Sequence, residues 1–388
     1  MAGFFVSGLL FSFFGSILPS WGHHLRADYP TVGALFFCAS IGIVCSVGLG
    51  AWLLKSRGTG TTLVAACSLA AGALLYLAAM SPPAPPWSRM IGFGLIGFAG
   101  GLLHSAIFQA ISPIYRHDST ATLNIGGILF GLGCVTVSLL ISGTFYVYTV
   151  PSILVMLAVI PALFAILYSK PRYGPVSGDL RRPLGEVLGD LRSPMAVLFA
   201  LLLFFQFGNE WAIAGWLPLF LVQRLGISPA KSLMLLAVYW LSLMVGRAVV
   251  QSLGEMRHTY WLVISIVSAM FGCLMLALTD SPFGALIAVI LAGAGFASIY
   301  PLVVERIGNQ FPNYHPGFYN GIFTLALTGG FLAPCALGYF AEWYGVQIVM
   351  LLPLFGSIMV FVLLMTIWVG QRVEHHGNRS EPSPIGPS

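Results

Sequence analysis

Residues 195–222 read MAVLFALLLFFQFGNEWAIAGWLPLFLV. The stretch is apolar from end to end except at its centre, where Gln206, Asn209 and Glu210 stand with Trp211 and Trp216 just after. As a helix it reaches about 42 Å at ~1.5 Å per residue. That exceeds the ~30 Å hydrocarbon core of a bilayer, so the segment crosses a membrane with Glu210 near the midplane. An acid at that depth costs about 2.5–3.5 kcal/mol on insertion scales and marks a functional site by default. The competing role is a hydrogen-bonded carboxyl that only fixes helix packing.

The rest of the chain fits that reading. It has 388 residues, 58% of them hydrophobic and 7% charged, with a mean hydropathy of +0.91. Soluble domains carry about 25% charged residues, so this composition cannot cover a surface facing water. The fold class is therefore all-α integral membrane. Cys38, Cys45, Cys67, Cys134, Cys273 and Cys335 all fall in apolar runs without CxxC spacing. They read as small packing residues, with no disulfide framework and no metal site. Residues 3–22 lack a basic n-region and read as a first span, not a signal peptide.

Apolar windows place spans at 3–21, 31–54, 60–80, 89–114, 120–143, 147–169, 195–222, 228–253, 259–279, 282–307, 316–340 and 345–370. The polar segment 170–194 divides these twelve into bundles 1–169 and 195–370, and the tail 371–388 reads as disordered. Even-numbered loops and the tail hold 13 of the 17 Lys and Arg residues. By the positive-inside rule, both termini are cytoplasmic in a cell (inner) membrane. The halves echo one another: Gly15-Ser16-Ile17-Leu18-Pro19 in span 1 recurs as Gly215-Trp216-Leu217-Pro218 in span 7. Asn124 is matched by Asn320, and Arg116 by Arg306. Such internal symmetry points to a binding site near the midplane between the halves.

Twelve spans, a basic central loop and duplicated halves resemble the major facilitator superfamily over residues 1–370. Its cytoplasmic signature, Gly-x-x-x-Asp-Arg-x-Gly-Arg, is similar to Gly50-Ala51-Trp52-Leu53-Leu54-Lys55-Ser56-Arg57-Gly58, with Leu54 at the Asp position. Val245-Gly246-Arg247 resembles the second copy. The resemblance thus implies gating roles for Lys55, Arg57 and Arg247. Within the superfamily, Gly208-Asn209-Glu210 through Gly215-Trp216-Leu217 resembles the fucose/glucose permease branch, as does Leu123-Asn124 opening span 5. That branch carries acids in spans 1 and 4. Here Gly15 stands at the first position, and span 4 offers His104 and Gln109.

The polar groups of the inner spans are the candidate substrate contacts. Gln206 and Glu210 share a helix face at i, i+4. Glu210 is a candidate substrate anchor or proton site, and His104 a second proton-coupling candidate because imidazole titrates near neutrality. Asn209, Gln109 and Asn124 extend the set, with Asn320 and Thr324 from a polar stripe in span 11. Trp216, Trp240 and Tyr300 offer aromatic faces to a sugar ring or a cation. Gly127 and Gly131 read as close helix packing. Gly94-x-x-Gly97-x-x-Gly100 follows no strand, so it is no nucleotide fingerprint. No Walker sequence or catalytic constellation is present, so the chain is not read as an enzyme and needs no cofactor.

The expected function is secondary transport of a small polar organic solute by alternating access. A neutral sugar or polyol comes first, with protons as the candidate coupling ion. Efflux of amphipathic cations is the alternative, and a non-transporting sensor or lipid-handling scaffold is the rival of another class. Expected partners are the solute and the bilayer, with no nucleic acid, and the expected state is a monomer.

Overall fold

A computed structural model describes residues 1–24, 28–117, 119–170, 173, 189–252, 258–311 and 321–377. Most of the central segment, the end of the tail, Asn320 and Arg257 lie outside the described residues. So do the side chains of His23, His24 and Arg116.

The helices are α1 Gly3–Ser16, α2 Leu18–His24, α3 Tyr29–Ala79, α4 Pro86–His117, α5 Ser119–Thr144 and α6 Val150–Tyr168 in the first half. The second half holds α7 Pro194–Leu225, α8 Pro229–Ser252, α9 His258–Leu278, α10 Pro282–Gln310, α11 Gly321–Tyr344 and α12 Ile348–Gly377. Among the described residues, eleven helices are long and apolar enough to cross a membrane. One of them, α3, spans 51 residues and breaks at Gly58, whose φ of 82° lies in the left-handed region that glycine tolerates. It therefore folds back and supplies spans 2 and 3, giving the twelve crossings read from the sequence. Pro19 separates α1 from α2 within span 1, because a proline inside a helix clashes with the carbonyl one turn back. The last helix runs on to Gly377, seven residues past the span end expected at 370. No proline interrupts Gln371 to His376.

Local chemistry sets the ends. Asp28 caps α3, its Oδ1 accepting from the Thr31 N–H at 2.6 Å. Ser281 caps α10 by accepting from the Gly284 N–H at 3.0 Å. Prolines occupy the first position of α4, α7, α8 and α10, where the missing N–H has no helical partner to lose. Large apolar side chains such as Phe37, Val159, Phe271 and Phe355 stay exposed on the outside, as lipid contact requires.

The first-half helices pack on one another and the second-half helices do the same, with α1–α7, α3–α11 and α5–α8 joining the two sets. Small residues permit the crossings. Gly15 of α1 meets the backbone of Ala214 and Gly215 in α7, and Gly33 of α3 meets Cys335 and Gly338 in α11. The echoed segments at Gly15 and Gly215 thus touch each other. Both crossings lie toward the membrane face opposite the termini. Phe36 stacks on Trp216 there with centroids 6.2 Å apart, and the Tyr29 hydroxyl donates to Gln223 Oε1 at 2.7 Å.

Candidate functional site

Beneath that seal, on the termini side, lies a central cavity of about 140 Å³. Helix register decides what faces it. In α1 the wall residues are Phe4 and Phe11, two turns apart; in α4, His104 and Phe108; in α7, Phe207 and Trp211; in α11, Phe323, Leu327 and Phe331. Gly126, Gly127 and Phe130 of α5, Arg247 of α8 and Tyr300 of α10 complete most of the ring. Phe4, Leu123 and Phe323 are early in helices that start at the termini face, whereas Phe108, Arg247 and Tyr300 are late in helices that end there. The cavity is therefore centred on the termini side of the midplane.

Rings dominate the wall. His104 lies tilted against Phe108 with centroids 4.6 Å apart, Phe207 lies 5.2 Å from Tyr300, and Phe11 lies 4.9 Å from Trp211. The single charged group among the described wall residues is Arg247. Its Nε donates to the Ala297 carbonyl of α10 at 3.3 Å, and its guanidinium lies against Gly127 of α5. Arg247, which the signature reading assigns to a gate, thus lies within α8 on the cavity wall and touches both halves.

Glu210 is not on the wall. It is 7% exposed and accepts from Gln206 Nε2 at 2.6 Å. Arg247 is the cation whose field reaches it. Gln206 is fully buried, its Nε2 also 3.5 Å from the Phe296 carbonyl. Asn209 turns the other way and donates to Ser357 Oγ of α12 at 3.4 Å. Trp216 donates from Nε1 to the Pro334 carbonyl at 2.9 Å and belongs to the seal. Trp240 lines a smaller chamber above the cavity.

The remaining candidates sit at several places. Asn124 is buried and Gln109 half-buried, both off the described wall. Thr324 is exposed, one position from the wall residue Phe323. Thr328 bonds back to the Leu325 carbonyl at 2.6 Å. Lys55 and Arg57 are exposed beside the Gly58 break. His104 and Tyr300 do reach the wall. Sequence reasoning missed Phe4, Phe11, Phe130, Phe207, Phe323 and Phe331. The i, i+7 spacing of Phe4 and Phe11 and the i, i+8 spacing of Phe323 and Phe331 were the only signal.

Comparison with known proteins agrees with this architecture. The family model described as Major Facilitator Superfamily matches residues 1–334. An uncharacterized MFS-type transporter of Yersinia pestis is 23% identical over 373 residues, covering 95% of this chain and 93% of the relative. Among solved structures, the nucleoside transporter NupG aligns with a TM-score of 0.73 at 15% identity, over 94% of this chain and 98% of that one. The E. coli fucose:proton symporter FucP aligns with a TM-score of 0.62 at 15% identity, over 94% and 97%. A bacterial homologue of the human drug peptide transporters aligns with a TM-score of 0.72 at 13% identity, over 97% and 98%. At these identities the solved structures share the fold and nothing finer.

Proposed function

The chain belongs to the Major Facilitator Superfamily, and from that premise we propose that it moves a small amphipathic organic anion across the membrane by alternating access. The observation that carries this reading is the wall of the central cavity, where aromatic rings surround one charged group, Arg247. Apolar surface with a few convergent polar groups suits a small ligand with an apolar body and a polar end. Guanidinium binds carboxylate through paired, charge-assisted hydrogen bonds.

The same wall weighs against the two expectations drawn from the sequence. A neutral polyol needs a partner for each hydroxyl, and each one buried without a partner costs about 1–3 kcal/mol. Besides Arg247, the described wall offers chiefly His104, Tyr300 and the Trp211 indole as polar groups. A cation would meet Arg247 with no carboxylate on the described wall to receive it. We therefore place the organic anion first.

Glu210 fits as the coupling residue. With Glu210 ionised, Arg247 has an internal counter-charge; with Glu210 protonated, the guanidinium is left to the solute's carboxylate. Proton and anion then travel together. The loops on the termini side carry most of the positive charge, so the cavity faces the cytoplasm of a cell (inner) membrane in this reading. A monomer suffices, because the cavity is built within one chain.

Uptake of radiolabelled 4-methoxybenzoate into proteoliposomes tests the proposal. An inward proton gradient drives accumulation in wild type, and Arg247→Gln abolishes it. Accumulation that is indifferent to both the gradient and Arg247 removes the proposed chemistry.

A further inference from the structure

Above the central cavity, toward the seal, is a second chamber of about 30 Å³. Phe11, Ile43 and Trp211 line both spaces. The touching rings of Phe11 and Trp211, one from each half, therefore stand as a partition between them. Phe36 also lines the chamber, and with Trp216 stacked on it closes the far side as the seal. Cavity, partition, chamber and seal follow one another along the axis between the halves.

A residue that lines the chamber carries an unused donor. Trp240 is 4% exposed and lines the chamber. Its Nε1 is buried and has no acceptor among the described residues. The two other chamber groups able to hydrogen-bond differ. Ser40 already donates to the Phe36 carbonyl at 2.8 Å, and Trp211 is shared with the cavity below. Trp240 also stands seven residues before Arg247 on α8, on the same face and about 10 Å higher by helix rise. A solute held at Arg247 by its anionic end would point its far end past Trp211 toward Trp240.

We propose that the chamber is a second subsite on the transport path, where Trp240 Nε1 donates a hydrogen bond to an ether or carbonyl oxygen at the distal end of the solute. The subsite becomes continuous with the cavity when Phe11 and Trp211 part. A volume near 30 Å³ admits about two water-sized groups, so it takes one end of a solute and not a whole one. This ligand class rests on the anion reading above; the path itself does not.

Two experiments on the full chain in nanodiscs separate those layers. The first is reaction of methyl methanethiosulfonate with Ser40→Cys in a Cys38→Ser background, read by peptide mass spectrometry at position 40. Adding Trp211→Ala or, should that variant not fold, Phe11→Ala should speed the reaction about tenfold by removing the partition. Unchanged rates would overturn the chamber as part of the path, whatever the solute. The second compares 4-methoxybenzoate with 4-ethylbenzoate, which replaces the ether oxygen by a methylene. Trp240→Phe should weaken the methoxy acid about tenfold, as loss of one buried hydrogen bond implies, and leave the ethyl acid unchanged. Equal weakening of both acids makes Trp240 a packing residue and sinks the subsite. If wild type binds neither acid, the anion reading fails, and the rate at position 40 still decides the chamber.

Discussion

The guanidinium of Arg247 in α8 rests on Gly127 in α5, so close that a Cβ at residue 127 would overlap its Nη1. One half of the molecule supplies the charge and the other supplies the gap that admits it. The residue is held there by its bond to the Ala297 carbonyl. Gly127→Ala should therefore push the guanidinium off its place and lower transport at least about tenfold, while the protein still purifies as a monodisperse species. Gly131→Ala serves as the control. A Cβ there comes no nearer than 3.2 Å to Met244, a flexible side chain. Uptake assays on both variants check the difference.

Glu210→Gln keeps the shape of the side chain and removes its charge. If Glu210 sets the coupling, this variant should still bind 4-methoxybenzoate and exchange it across the membrane, but no longer accumulate it against a gradient. Counterflow and proton-driven uptake, measured side by side, report the split. Loss of both activities in equal measure would assign Glu210 to packing with Gln206.

Trp216 bonds the Pro334 carbonyl at 2.9 Å and stacks on Phe36. Trp216→Phe should lower stability by about 0.5–1.5 kcal/mol, the net worth of one hydrogen bond. Trp216→Ala should cost about 3–5 kcal/mol, since it also leaves a hole in a fully packed region. Thermal unfolding in a single detergent ranks the two.

Gly15 and Gly33 set how closely the halves approach at the face away from the termini, because their Cα atoms lie against backbone atoms of the opposite half. Gly15→Val should hold that face apart. Maleimide labelling of a cysteine placed at Gln223, near the seal, should then become faster from that side than in the parent. An unchanged labelling rate would show that the crossing has slack the packing does not suggest.

Much of the architecture is legible in the sequence, because the bilayer imposes it. Twelve apolar stretches must be helices, since backbone groups find no other partners in hydrocarbon. The breaks at Pro19 and Gly58, which sequence reasoning did not single out, follow from those residues' own conformational limits. The site is harder to read. Gln206 and Asn209 stand out as polar, yet polar groups inside a membrane protein also pair with one another away from any cavity, as Gln206 Nε2 does with Glu210 one turn on in α7 and Asn209 with Ser357 of α12. The wall itself is built from phenylalanines in a chain that is 13% aromatic, where ring identity alone cannot separate wall from core or lipid face. Arg247 matched a loop signature, but in α8 its place is fixed by the gap at Gly127, a contact between distant segments that no local pattern encodes.

Ligand-induced thermal stabilisation tests the central claim most directly, because binding to the native state raises stability with ligand concentration. Wild type and Arg247→Gln are each melted with 4-methoxybenzoate, L-fucose or tetraphenylphosphonium. We predict that the acid stabilises wild type and not Arg247→Gln, and that the sugar and the cation stabilise neither. Stabilisation of wild type by L-fucose or tetraphenylphosphonium, with the acid inert, would contradict a cavity organised around Arg247.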